Sequence, residues 1–329
     1  MKIALLSGGV GGARFASGVV DAAGAEALTI IGNVGDDVEV LGLHVSPDLD
    51  SILYTLAGVA DRKRGWGRAD ETWHALGTVE ELDGEAWFRL GDRDIGLHLV
   101  RTDALRRGTP LSEVTGRLAL AFGLESRLLP ATDDRLRTWL DTPAGSFPFQ
   151  EWFVRRRHSD PVDAVHFEGA ESARAAPGVL EALREADLIL IAPSNPFVSI
   201  GPILAVAEIR AALIARDAPA VAVSPLIGGR AVKGPAAEML SRLSGGTGAA
   251  QVTQCYLHAA PGESAASEQV TQCHEPLIDA LVFDEADADD AEGVAALGVR
   301  PLVTSTLMAD SAAARRLAET ALGAAAVVR

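Results

Sequence analysis

A chain of 329 residues with 48% hydrophobic side chains is long enough to bury a substantial core, as one large domain or as a domain carrying a sizeable insertion. Its formal net charge of −16 argues against broad polyanion binding, which needs compensating cations, so nucleic acid is not an expected partner; backbone amides and a few basic residues still suffice for a single nucleotide. No apolar run approaches the roughly 20 residues that span a bilayer, and the start lacks a secretory signal, so the expectation is a cytoplasmic protein without a membrane partner.

In chain order, the apolar run Lys2 to Ser7 leads into Gly8-Gly9-Val10-Gly11-Gly12 and then into helical apolar spacing at Phe15, Val19 and Val20. This reads as strand, glycine turn, helix. A second strand, Leu28 to Ile31, ends in Gly32-Asn33-Val34-Gly35-Asp36-Asp37, the opening of a parallel α/β sheet. From about residue 51 to 180 the chain turns to charged, tryptophan-containing segments with helical spacing, read as an inserted, mainly helical lid. Within it, residues 142–146 signal a turn and residues 147–155 read as an extended edge segment. Nearly continuous apolar runs at 188–191, 220–223 and 281–283 predict further strands covered on both faces. An alanine-rich helix is expected around 312–322. The expected fold is therefore a Rossmann-like parallel sheet core, residues 1–50 and 181–329, with a lid at 51–180. The motif Gln251-Val252-Thr253-Gln254-Cys255 recurs at 269–273, and a loop insertion is the preferred reading. Cys255 and Cys273 lack zinc-site spacing and are expected to be free thiols.

A glycine-rich turn between strand and helix lets backbone amides approach phosphate, which makes Gly8, Gly9, Gly11 and Gly12 anion-site candidates. The turn lacks the ending of a P-loop, and Arg14 disrupts the dinucleotide pattern, so the motif alone is weak. Asp36, Asp37, Asp48 and Asp50 crowd the end of the second strand and the segment after it, where open α/β sheets bind ligands and where hard oxygen ligands suit magnesium bridging phosphate. The competing reading for Asp48 or Asp50 is a helix N-cap. In Gly91-Asp92-Arg93-Asp94 a guanidinium stands between two carboxylates, ready for a phosphate or a ring carbonyl, or else for a surface ion-pair turn. Ser194 and Asn195 follow one buried strand and Ser224 to Gly229 follows the next, so two polar turns at one sheet edge point to one site. Ser194 and Asn195 offer donors to a phosphate or base edge, and Lys233 adds charge.

These motifs in this order resemble the 2-phospho-L-lactate transferase family, whose actinobacterial members act as phosphoenolpyruvate transferases in coenzyme F-420 biosynthesis. The resemblance spans nearly the whole chain and includes residues 7–15, 33–37, 47–50, 64–67, 87–94, 129–134, 149–155, 192–196, 199–206 and 224–229. It departs at about 244–275. The resemblance implies a guanine nucleotide half-site, Mg2+, and the deazaflavin alcohol 7,8-didemethyl-8-hydroxy-5-deazariboflavin as acceptor. It assigns Asp50 and Arg93, flanked by Asp92 and Asp94, to the acceptor, with Asp50 as the best candidate for a catalytic base. Gly8, Gly9, Gly11, Gly12, Arg14, Ser194, Asn195, Gly228, Gly229 and Lys233 fall to the guanosine diphosphate portion of a guanylylated phospho-acid donor. Phosphoenolpyruvate is favoured over 2-phospho-L-lactate as the donated acid because the glycine turn looks closer to the actinobacterial form. A homodimer is expected. Two further readings stay open from sequence: a nicotinamide-dependent oxidoreductase and a non-catalytic guanine nucleotide sensor.

Overall fold

The computed structural model describes residues 1–257 and 276–328, and its centre is a seven-stranded sheet whose strands all run parallel. In chain order the strands are β1 (Ile3–Ser7), β2 (Leu28–Gly32), β3 (Arg127–Pro130), β4 (Leu188–Ile191), β5 (Ala220–Val223), β6 (Ala280–Phe283) and β7 (Arg300–Val303). Every residue of β1, β4, β5 and β6 is buried, as continuous apolar strands covered by helices on both faces must be. The spatial order is β7-β6-β5-β4-β1-β2-β3, so the winding direction reverses between β1 and β4. In open α/β sheets a ligand crevice opens at that reversal, beyond the carboxyl ends of the strands.

Register makes the crevice level. Ser7 pairs with Gly32 and Leu6 with Ile191, so Gly8, Asn33 and Ala192 leave the sheet side by side. Helix α1 (Gly9–Ala23) buries Phe15, Ala16 and Val19 and packs beside the helix Ser311–Val328. Gly18 permits that approach, because a Cβ there would collide with the backbone carbonyl of Ala314.

Between β2 and β3 come the hairpin Val38–Val40 and Leu43–Val45, then α2 (Pro47–Leu56), α3 (His74–Glu81), α4 (Asp92–Arg106) and α5 (Leu111–Ala121). After β3, strands Arg137–Thr142, Gly145–Pro148 and Ala164–Glu168 form a small antiparallel sheet. Several details differ from the sequence reading, among them strand β7 and the hairpin at 38–45, which it does not anticipate. Strand β3 lies inside residues 51–180, the region read as a mainly helical lid with few central-strand signals. The extended segment stops at Pro148, and Glu151–Arg155 is a turn of π-helix whose buried Trp152 donates from Nε1 to the Asp160 carbonyl (2.9 Å).

The first copy of the repeat, residues 251–255, lies in the helix Ala249–Leu257 with Val252 and Thr253 buried. Burial of that face overturns the loop reading for this copy. The second copy and Cys273 lie outside the described residues. Among the described residues no single helix is long and apolar enough to cross a membrane.

Candidate functional site at the sheet reversal

Strand β1 passes through Gly8 directly into α1, and Gly8 is the N-cap of that helix. The first amides of a helix lack intrahelical acceptors, and the helix dipole adds positive potential there. Gly8 has no side-chain oxygen to cap them and the first turn contains no acid; the Gly9 amide donates to the Asp48 carboxylate from α2, and the amides that follow it suit an anion. Crowding fixes glycine at this position: a Cβ on Gly8 would lie 2.6 Å from Asp48 Oδ2 and 2.9 Å from Ser199 Cβ.

The loop after β4 forms the opposite wall. Ser194 Oγ donates to the Gly8 carbonyl (2.7 Å), so it ties the two loops together. Asn195 Oδ1 accepts from the Phe197 amide (2.9 Å) and its Nδ2 faces Met239 Sδ at 3.3 Å. Both residues stand where the sequence reading places them, yet their side chains are committed to building the wall.

The four acids assemble between β2 and α2 but do not share one environment. Asn33, the first residue after β2, donates from Nδ2 to Asp48 Oδ2 (2.9 Å), and burial pushes the Asp48 carboxyl up to about 6 against the hydrogen bonds of Asn33 and Gly9. Burial, then the charge of Asp48, raises Asp36 well above the usual carboxylate range. Asp37 Oδ2 accepts from Ser46 Oγ (2.8 Å) and lies 2.8 Å from His44 Nε2. Asp36 and Asp37 each keep one buried oxygen, Oδ1, with no partner. Such orphaned oxygens fit a cation that also touches phosphate. No group of three His, Cys, Asp or Glu side chains among the described residues is arranged as a complete ligand set, so a metal here would take only one or two protein carboxylates. Ser46 is the N-cap of α2, with Asp48 and Asp50 in its first turn, so neither acid is the cap.

Asp50 turns away toward α4. Arg101 Nη1 donates to its Oδ2 (2.9 Å) and Arg101 Nη2 donates to its Oδ1. Asp50 is 5% exposed and Arg101 1%, so this is a buried ion pair. His98 Nδ1 lies 3.2 Å from Arg101 Nη1 and must be the acceptor, because a guanidinium only donates. Burial pushes the His98 imidazole down to about 4, which keeps that lone pair available. One turn further along α2, Tyr54 donates its hydroxyl to Asp94 Oδ1 (2.7 Å), and burial raises the Asp94 carboxyl to about 6. Asp50, read from the sequence as a metal ligand or an acceptor contact, has its charge matched by Arg101. Sequence reasoning missed Arg101 and Tyr54.

Three more expectations change in detail. Asp92 accepts from Thr72 Oγ1 (2.5 Å) and from the amides of His74 (3.1 Å) and Ala75 (3.0 Å), so its carboxylate holds the start of α3 and is not open to an acceptor. Arg93 is exposed, and its amide and that of Asp94 donate to Glu71. The Gly228 and Gly229 amides, at the tip of a hairpin, both donate to the Asp287 carboxylate at 2.8 Å, which removes them as free phosphate donors. Lys233 sits just beyond that hairpin and donates from Nζ to the Gly65 carbonyl at 3.0 Å.

The chain matches the family described as "2-phospho-L-lactate transferase CofD" over residues 3–303. It is 43% identical to the phosphoenolpyruvate transferase of Kitasatospora aureofaciens over 336 residues, covering 100% of this chain and 99% of that protein. It is 43% identical to the phosphoenolpyruvate transferase of Streptomyces coelicolor over 337 residues, with the same coverage. The Mycobacterium tuberculosis (strain ATCC 25177 / H37Ra) protein of that name is 41% identical over 324 residues, 92% of this chain and 94% of the other. The fold is similar to the crystal structure of a upf0052 family protein from Bacillus halodurans, with a TM-score of 0.64 at 15% identity and 98% of each chain covered.

Proposed function

Because the chain belongs to the 2-phospho-L-lactate transferase CofD family and is a transferase, we propose that it moves phosphoenolpyruvate from a guanosine-diphosphate-activated form to the primary alcohol of 7,8-didemethyl-8-hydroxy-5-deazariboflavin and releases GMP. The alcohol oxygen forms a bond to the phosphorus that bears the acid. The bond from that phosphorus to the bridging oxygen breaks, GMP leaves with the oxygen, and the alcohol proton passes to a base or to water.

The observation that carries this reading is the meeting of the α1 N-terminus with Asp36, Asp37 and Asp48 at the sheet reversal. A diphosphate there gains the helix amides and faces three carboxylates. Magnesium held by Asp36 and Asp37 through their unpartnered Oδ1 atoms would offset the charge that builds on the diphosphate oxygens. The glycine turn holds the diphosphate, with Ser194 and Asn195 fixing the loop beside it. Asp50, held in place by Arg101, faces the acceptor side, with Arg93 at its rim. Orienting donor and alcohol in line supplies most of the acceleration in transfers of this kind. The active unit is a homodimer, for which light scattering should return the mass of two chains.

Mass spectrometry of the product formed from equimolar guanylylated phosphoenolpyruvate, 2-phospho-L-lactate and 3-phosphoglycerate tests the reading. The expected product is the phosphoenolpyruvyl ester of the deazaflavin alcohol. A deazaflavin recovered unmodified with all three donors overturns the function, and an ester of another acid overturns the choice of donor.

A further inference from the structure

The two carboxylate oxygens of Asp37 are used differently. Oδ2 accepts from Ser46 Oγ and lies within hydrogen-bond distance of His44 Nε2, both at 2.8 Å, whereas Oδ1 is buried without a partner. A carboxylate only accepts, so the ring hydrogen sits on Nε2 and His44 donates. Asp37 is 4% exposed, and no rotation of its carboxylate frees Oδ2 without breaking both bonds. The group is therefore held with one oxygen tied and the other open.

His44 reaches Asp37 because the hairpin Val38–Val40 and Leu43–Val45 folds the chain back. At its tip Leu41 and Gly42 both have positive φ, 52° and 76°, as a tight two-residue turn requires, and the register that follows pairs Glu39 with His44. Val40 and Val45 close a small apolar cluster with Leu90, and the strand period of two turns His44 to the other face. Helix α4 clamps the hairpin at two points. Thr102 Oγ1 accepts from the His44 amide at 2.8 Å, and Arg106 Nη2 donates to the Gly42 carbonyl at 2.8 Å. The backbone of His44 is thus fixed from α4 and its ring from Asp37. Hydrogen bonds of this kind orient the carboxylates that hold metal ions.

We propose that His44 is a positioning residue for a divalent cation: with Ser46 it anchors Asp37 Oδ2, so that Oδ1 is the oxygen presented to the ion. This rests on the cation reading of Asp36 and Asp37 given above. It adds a residue that acts through Asp37, and it gives the hairpin and its clamp on α4 a purpose in the site.

Mn2+, a paramagnetic substitute for magnesium, tests this without substrate or turnover. Its free concentration is followed by electron paramagnetic resonance as it is titrated into the protein. Each variant is also melted in excess Mn2+ and in chelator, so that it is compared with its own metal-free state. The wild-type protein should bind Mn2+ and melt higher with it. His44→Leu removes the donor and should weaken Mn2+ about 10–100-fold, the range for loss of a group that orients a metal ligand, and most of the melting shift should go with it. His44→Gln, whose amide nitrogen can take the place of Nε2, should keep most of the affinity. If His44 only braces the hairpin, His44→Leu melts lower in chelator and binds Mn2+ as tightly as the wild type. That result, or an equal loss of affinity in the leucine and glutamine variants, overturns the positioning role. A wild-type protein that takes up no Mn2+ overturns the cation reading of Asp36 and Asp37 itself, a result distinct from failure of His44.

Discussion

A buried carboxylate persists where its charge is matched, and Asp50 is matched by Arg101 through both oxygens. Removing one member of such a pair strands the other and costs about 3–5 kcal/mol. Asp50→Asn is therefore expected to lower the unfolding free energy in urea by that order. It should also slow transfer roughly a hundredfold, with much less change in guanine nucleotide affinity. Adding Arg101→Met should recover part of the stability and none of the transfer. Recovery of both would reduce Asp50 to a structural counter-ion. Asp94 gives a pH-dependent counterpart: burial raises its carboxyl from 3.8 to about 6, with Glu71 and Asp50 adding to the rise and Tyr54 and Arg68 opposing it. The folded state then binds the proton more tightly than the unfolded chain, so stability falls as pH rises from about 4 through 6. Asp94→Asn keeps an acceptor for Tyr54 and removes that slope. Its stability relative to the parent should rise by roughly 2–3 kcal/mol between pH 4 and 7 in paired thermal melts, and a constant difference would contradict the assignment. The sequence does carry a trace of this seam, since Asp94, His98, Arg101 and Thr102 recur at helical spacing and are all buried. A polar stripe on a helix reads as a solvated face, however, and only the opposing acid and hydroxyl on α2 reveal that it is inside.

Helix α1 and the helix Ser311–Val328 illustrate how packing overrides propensity at the scale of an element. Gly18→Ala improves intrinsic helix propensity but drives a methyl into the Ala314 backbone, so it should destabilise by about 1–3 kcal/mol. Gly116→Ala in α5 meets nothing within 4 Å and should instead stabilise by about 0.4–1 kcal/mol. Urea titrations of the pair check both signs, and a gain at Gly18 would mean that the two helices are not in close contact. The strands were legible to the same degree that they are buried: β1, β2, β4, β5 and β6 are apolar runs that sequence reading places within a residue of their ends. Strand β3 is four residues, Arg-Leu-Leu-Pro, at the sheet edge and closed by proline, too short to show a period. The hairpin glycines were read as part of a polar turn and, through the resemblance, assigned to the nucleotide. Their amides are taken by Asp287, nearly sixty residues on, a partner that only the tertiary fold brings near.

Across the whole molecule, the site follows from topology. The strand order reverses between β1 and β4, and register brings Gly8, Asn33 and Ala192 to one edge, so residues far apart in the chain enclose one crevice. The net charge of −16 disfavours binding of extended polyanions. The central claim is that the bond to phosphorus breaks only when the acceptor alcohol attacks it. The most direct measurement is GMP release from guanylylated phosphoenolpyruvate, followed with and without the deazaflavin alcohol and with and without magnesium. One GMP should appear for each deazaflavin ester formed, and only when alcohol and magnesium are both present. GMP released at the same rate without the alcohol, or full turnover in excess chelator, would contradict the account.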